Sequence, residues 1–178
     1  KAHPEWIARQ KDGSPCLMHY DTNANSTEPK PHCSWQTLCL NDGEYAKHIY
    51  EIAKEVCERY KDLDGLFFDI CAAGDVCYCN ECLSGMKKEG LDPENDLEAK
   101  EYFKKKRAVF MQKCSDILRS YHPNATIFFN SGGADMYRPE FHPYQTQFEM
   151  EDLPTCWGGY DKMSIRAKFF SRIGKPYL

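Results

Sequence analysis

Apolar residues recur at intervals of three and four between about residues 42 and 60, where Tyr45, Ile49, Ile52, Ala53 and Val56 form one stripe. That spacing predicts a helix. Asn41 stands in the N-cap position, with Glu44 three residues on. A compact aromatic run at 65–70, Gly-Leu-Phe-Phe-Asp-Ile, reads as a strand bounded by Asp64-Gly65 and a cysteine loop. A second long helix is predicted over 95–121, with Leu97, Phe103, Phe110, Cys114, Ile117 and Leu118 on its buried stripe and His122-Pro123 at its end. Residues 125–130 read as the next strand, closed by Ser131-Gly132-Gly133, and 146–151 as a third. A helix over about 162–172 stops at Gly174, and 175–178 begin one more strand.

This order describes consecutive βα units, over residues 41–178, preceded by a loop-rich lead-in over 1–40 with a short strand at 16–20. A (β/α)8 TIM barrel takes roughly 250 residues. The chain therefore reads as an α/β protein, a partial barrel holding about strands 4 to 7 of a larger catalytic domain. An open doubly wound sheet is the alternative, but no strand is followed by a phosphate-binding glycine fingerprint.

Side chains alternate across a strand, which sorts each strand into two faces. Leu66, Phe68 and Ile70 share one face, and Gly65, Phe67 and Asp69 the other. In the next strand Thr126, Phe128 and Asn130 lie together; in the third, Gln147, Glu149 and Glu151 oppose Phe148 and Met150. With the apolar faces packed on helices, Asp69, Asn130, Glu149 and Glu151 converge at the C-terminal ends of the strands, where barrel enzymes carry their chemistry. Two carboxylates there are the minimum equipment for glycoside hydrolysis, one protonating the departing oxygen and the other attacking the anomeric carbon or activating water. The same oxygens could instead hold a divalent cation. Asp69 is the candidate nucleophile; Glu149 and Glu151 compete for the acid/base role.

The spacing Cys77-x-Cys79-x-x-Cys82 lets three thiolates face one tetrahedral ion, and a fourth ligand would close a structural zinc site. Cys39, Cys33 and Cys71 are the candidates for that fourth position. Cys39 is favoured, because it just precedes the helix that feeds the Asp69 strand.

Composition changes this picture little. The 178 residues are 42% hydrophobic and 28% charged, enough for a sizeable core. The net charge of -4 mixes both signs, and the basic run Lys104 to Arg107 lies inside a helical pattern, so it reads as a solvated face and nucleic acid is not an expected partner. No apolar stretch reaches membrane-span length, so no membrane partner is expected. The ten cysteines, several at core-like helix positions such as Cys57 and Cys114, read as reduced thiols of a cytoplasmic protein. Trp6, His19, Tyr20, His32, Trp35 and Gln36 give the lead-in a mixture of rings and hydrogen-bonding groups suited to sugar, or to anchoring a long loop.

The order Cys39, helix, strand ending in an acid, then Cys77-Tyr-Cys79-x-x-Cys82 resembles the zinc-binding segment of glycoside hydrolase family 42 β-galactosidases, in which four cysteines hold a structural zinc. That family's Asn-Glu pair after the fourth strand has no match, since the position reads Phe68-Asp69-Ile70. The segment from Asp64 to Asp69 resembles instead the strand-four nucleophile motif of family 29 α-L-fucosidases. Over nearly its whole length the chain resembles the "hypothetical glycosyl hydrolase 6" group of bacterial proteins, through His3-Pro-Glu-Trp6 with Asp12-Gly13, the 65–82 segment, and Glu149 to Pro154 with Trp157 to Asp161. The resemblance implies a truncated glycosidase domain whose barrel continues past Leu178.

The expected function is therefore retaining hydrolysis of a galactoside or fucoside-like sugar, with Asp69 as nucleophile, Glu149 or Glu151 as acid/base, and Asn130, Trp157, His19 and Trp35 contacting the carbohydrate. A zinc-stabilised binding module without turnover is the alternative, as is an inactive fragment of the hydrolase. A metal-dependent hydrolase using Asp69 with a histidine ranks last, because no histidine follows a strand end. An open sheet edge invites pairing with another copy, so a homo-oligomer is expected.

Overall fold

The computed structural model describes residues 3–20, 33–71, 76–130, 136–151 and 160–178. The lead-in is more ordered than its composition suggests. A 3-10 turn at Pro4–Trp6 leads to two antiparallel strands, β1 (Leu17–Tyr20) and β2 (Cys33–Gln36), the second of which the sequence did not announce. Isolated bridges Ile7 to Leu38 and Arg9 to Pro15 fold the flanking chain back onto them.

Helix α1 (Glu44–Arg59) starts two residues later than its periodicity implies. Asp42 takes a left-handed φ of 64°, and Gly43, not Asn41, is the N-cap. The side that faces the core is Ala46, Tyr50, Ala53 and Cys57, and Ile52 of the expected stripe is 42% exposed. Two strands follow in parallel, β3 (Gly65–Phe68) and β4 (Thr126–Phe129), paired from Gly65 with Thr126 to Phe68 with Phe129. Between them lie α2 (Asn80–Lys88) and α3 (Asp96–Tyr121). Helix α2 was not predicted, because its nine residues bury only Cys82 and Met86 and its start reads as a cysteine loop. Helix α3 begins as expected, the Asn95 side chain accepting from the Leu97 N–H, although Leu97 itself is 74% exposed.

Past β4 the chain keeps the same parallel order without forming full strands. The Thr146 N–H donates to the Ile127 carbonyl (2.8 Å), and Phe148 bridges Tyr177 in parallel, with Met150 N donating to Leu178 O (2.8 Å). The predicted third and fourth strands are thus reduced to a single bridge. A 3-10 turn (Pro139–Tyr144) precedes this segment, and α4 (Asp161–Ser171) follows it.

Alternation sorts the parallel pair as expected. Leu66, Phe68, Ile127 and Phe129 pack with Tyr50, Phe110, Met111, Cys114 and Leu118 in one core beneath α1 and α3. Phe129 and Phe110 are fully buried, each contributing about 1.5–3 kcal/mol of transfer free energy. On the opposite face Phe67 stacks on Phe128 at 4.8 Å and is half exposed. A second, smaller core gathers Ala8, Cys16, Met86, Ala99 and Tyr102 around the cysteine quartet. Among the described residues no helix is long and apolar enough to cross a membrane.

Candidate functional site

Two sites take shape, one built of sulfur and one of oxygen. The first is assembled by two separate pieces of chain. The Cys39 N–H donates to the Trp6 carbonyl (2.8 Å), which fixes that cysteine on the lead-in. Cys77 and Cys79 lie just ahead of α2, Cys79 as its N-cap, and Cys82 sits in its first turn. All four are buried, and their sulfurs lie within 4.8 Å of one another. Cys39 Sγ is 3.5 Å from Cys82 Sγ and 3.8 Å from Cys79 Sγ. Four sulfurs about 2.3 Å from one tetrahedral ion would be separated by about 3.8 Å, so the quartet could hold a metal with little movement. Of the other two candidates for the fourth ligand, Cys71 belongs to the opposite core and donates its thiol to the Asp69 carbonyl (3.2 Å). Cys33 contributes only its backbone to the described structure.

The surroundings favour thiolates unequally. Hydrogen bonds from Cys39 and the other thiols draw Cys79 far down, and the Cys39 thiol likewise lowers Cys77. Cys39 and Cys82 are pushed up by the same contacts and by burial. Four crowded thiols cannot all ionise against one another, and a cation at their centre removes that conflict. Two amides also point at the sulfurs: Cys79 N–H to Cys77 Sγ at 3.4 Å, and Asn41 Nδ2 to Cys82 Sγ at 3.3 Å. Asn41 is thus diverted from the cap expected of it; its type carried no sign of this role.

The second site lies where β3 and β4 end. Asp69 follows β3 directly, and Asn130 follows β4, its N–H donating to the Phe68 carbonyl (2.9 Å) so that the two residues stand side by side. The Asn130 amide nitrogen reaches Asp69 Oδ1 and Glu151 Oε2, at 3.1 Å each. Two acceptors sharing one nitrogen at that length are separated by no more than about 6 Å. Glu149 is half-buried, whereas Asp69 and Glu151 are exposed. Three of the four polar residues expected to converge are therefore hydrogen-bonded together.

Strain is stored beside Asp69. Ile70 adopts φ 49°, a left-handed conformation that a β-branched residue rarely takes. Arg107 clamps the turn, its Nη1 donating to the Cys71 carbonyl at 2.7 Å. Burial pushes the Cys71 thiol up to about 12, so it is an inert donor at neutral pH.

The remaining candidates are less defined. His19 and Trp35 lie on β1 and β2, but their side chains, like the whole of Trp157, fall outside the described residues. A groove of about 420 Å3 opens beside Cys79, lined by Trp6, Arg9, Lys11, Tyr78 and Glu81 among others; it includes none of the strand-end carboxylates. Trp6 stacks on His3 there, ring centres 3.9 Å apart.

No family model matches the sequence, and no curated protein matches it. A solved structure does: the chain superposes on alpha-L-fucosidase isoenzyme 2 from Paenibacillus thiaminolyticus with a TM-score of 0.80 and 26% sequence identity. The match covers 99% of this chain and 25% of that one, so the chain spans a quarter of the fucosidase's length.

Proposed function

We propose that this chain is part of a (β/α)8 glycoside hydrolase, about strands 4 to 7, acting with retention on a fucoside or galactoside-like sugar. The observation that carries the reading is the Asn130 amide shared by Asp69 and Glu151. Two carboxylates, Asp69 past the end of β3 and Glu151 past the Phe148 bridge, meeting on the Asn130 that follows β4, make the kind of pair that sugar hydrolysis on a barrel requires. Their shared donor puts one oxygen of each within about 6 Å of the other, a spacing that admits the 5–5.5 Å of a retaining pair. The likeness to a fucosidase structure supports the same reaction class.

In this reading Asp69 attacks the anomeric carbon and Glu151 is the acid that protonates the leaving oxygen, then the base that activates water. Glu149, two residues earlier, is the second candidate for that role. Asn130 donates to both carboxylates and so holds their spacing; Trp157, His19 and Trp35 are the proposed sugar contacts. The cysteine quartet takes zinc, since a closed set of four soft sulfurs within 4.8 Å of one another suits that ion and leaves no open position for chemistry. Zinc would then pin α2 and the lead-in beside the mouth.

The test is hydrolysis of aryl α-L-fucoside and aryl β-D-galactoside, with product stereochemistry followed by NMR. Release of the sugar with retained configuration, abolished in Asp69→Asn, is the expected result. Sugar binding without turnover, unchanged in Asp69→Asn, would favour the non-catalytic module.

A further inference from the structure

An asparagine just ahead of a helix is capping chemistry by its type, and the fold uses Asn41 elsewhere. Gly43 stands at the N-cap of α1, and no side-chain bond is made there. Such a bond is ordinarily worth about 1 kcal/mol, so α1 forgoes it while a suitable residue stands two positions before its cap. The chain at that point is held from both sides. The Cys39 N–H donates to the Trp6 carbonyl, Asp42 takes a left-handed φ of 64°, and the Asp42 carboxylate receives Lys113 of α3 at 2.6 Å. Between these anchors Asn41 is 7% exposed, with its Nδ2 3.3 Å from Cys82 Sγ.

Burying a primary amide is costly unless its N–H groups meet good acceptors. The sulfur of a neutral thiol is a weak one. A thiolate bound to a cation is a different partner, because a hydrogen bond to a charged acceptor is roughly twice as strong as one between neutral groups. The position of the Asn41 amide therefore calls for charge on Cys82, which is the state a metal ligand takes. A divalent ion held by four thiolates carries a net charge of about -2, and N–H donors on the sulfurs offset that excess. Cys77 Sγ receives the Cys79 backbone N–H at 3.4 Å, and Cys82 Sγ receives Asn41. Of these two donors, one belongs to the backbone and the other is a side chain that substitution can remove.

We propose that Asn41 is an outer-sphere donor of a metal–tetrathiolate centre, whose amide orients the Cys82 thiolate, draws off part of its charge and so strengthens retention of the metal. This rests on the quartet being a metal site. Asn41 acts through Cys82 and is in this sense a positioning residue. Because it also leads into α1, the helix that precedes β3 and Asp69, it ties the sulfur centre to the start of that unit.

The experiment is Co2+ binding to the reduced, metal-free protein, followed by the sulfur-to-cobalt absorption and by competition with a chelator. Wild type is compared with Asn41→Leu, which is close in shape but has no donor, and with Asn41→Asp, which turns acceptor oxygens toward the sulfur. Outer-sphere partners typically change metal affinity about 10- to 100-fold. The expected result is a loss of at least about 10-fold in Asn41→Leu and a larger one in Asn41→Asp. The charge-transfer bands of Asn41→Leu should also move to longer wavelength, because a thiolate without its donor gives up an electron to cobalt more readily. A residue that only packed would leave them in place. Unmoved bands in Asn41→Leu, or an affinity within about threefold of wild type, overturn the proposal. Should the variants not fold, the wild type loaded with an NMR-active cadmium isotope decides. A scalar coupling between the metal and the Asn41 side-chain amide protons, carried across the N–H···S bond, is then expected, and its absence overturns the proposal. Failure of the wild type to take up either metal overturns the metal site itself, a different result from uptake that is indifferent to residue 41.

Discussion

Asn130 donates one amide nitrogen to Asp69 and to Glu151, so the two carboxylates are held to a single donor that neither could share without the parallel register of β3 and β4. If that arrangement serves glycoside hydrolysis, its parts fail differently. Asp69→Asn should lower kcat on an activated aryl glycoside by about 10³-fold or more with little change in KM, while the far-UV spectrum is unchanged. Asn130→Ala should cost about 10²-fold in kcat, because the carboxylates lose their common donor. A purely structural asparagine would lower stability and leave kcat of the folded protein where it was.

The cysteine quartet makes a prediction that needs no substrate. Two segments far apart in sequence meet at four sulfurs, so removing a bound metal should release both. Chelation under reducing conditions should make four additional thiols reactive and lower Tm by about 10 °C or more, corresponding to a loss of several kcal/mol for a chain of this size. Cys82→Ser should behave like the chelated protein. Unchanged thiol reactivity before and after chelation would remove the metal from the account.

Much of both sites could be read in advance because their signals are local. The Cys77, Cys79, Cys82 spacing is a property of six residues, and alternation along β3 and β4 needs only the strands themselves. Partners from elsewhere were harder. Cys39 could be chosen only by its place before α1, and its position follows from the Ile7 to Leu38 bridge, which no local pattern encodes. Asn41 was misread because an asparagine ahead of a helix is ordinarily a cap, yet its amide serves a cysteine sulfur 41 residues on. Arg107 was misread for a similar reason: three of the four cations in its run are paired at the surface, and nothing in the run distinguishes the buried one. Ile52 and Leu97 fit the helical period but stand clear of the core, since period alone leaves the width of the buried face undetermined.

Glu89 carries the pH dependence. It is the C-cap of α2, and its carboxylate receives Lys105 at 2.6 Å and Lys106 at 2.9 Å, both from α3. Those bonds hold its pKa below the ordinary carboxylate value. A group whose pKa is lowered by folding adds stability above its unfolded pKa and loses it as pH falls through the folded one. With the side chains partly solvated, the contribution is about 0.5–1 kcal/mol at neutral pH and low salt. Glu89→Gln should therefore be less stable than wild type in urea unfolding at about pH 7, and equal to it at about pH 3. A gap that persisted in acid would assign the effect to packing.

The last prediction concerns the two strands that carry the oxygen site. Gly65 faces Thr126 so closely that a Cβ there would stand 2.6 Å from the Thr126 carbonyl oxygen, a contact with backbone that no rotamer can relieve. The same carbonyl belongs to the pair that starts the parallel register, Gly65 with Thr126, four residues before Asp69 meets Asn130. Gly65→Ala should thus cost more than its loss of chain freedom would return, about 1–3 kcal/mol of overpacking, and the strands should separate at that end. Because Asp69 and Asn130 hold the other end of the same ladder, activity should fall along with stability. Gly90→Ala is the control. It has a left-handed φ of 76° but open space around it, so it should lose stability through backbone strain alone and leave turnover intact.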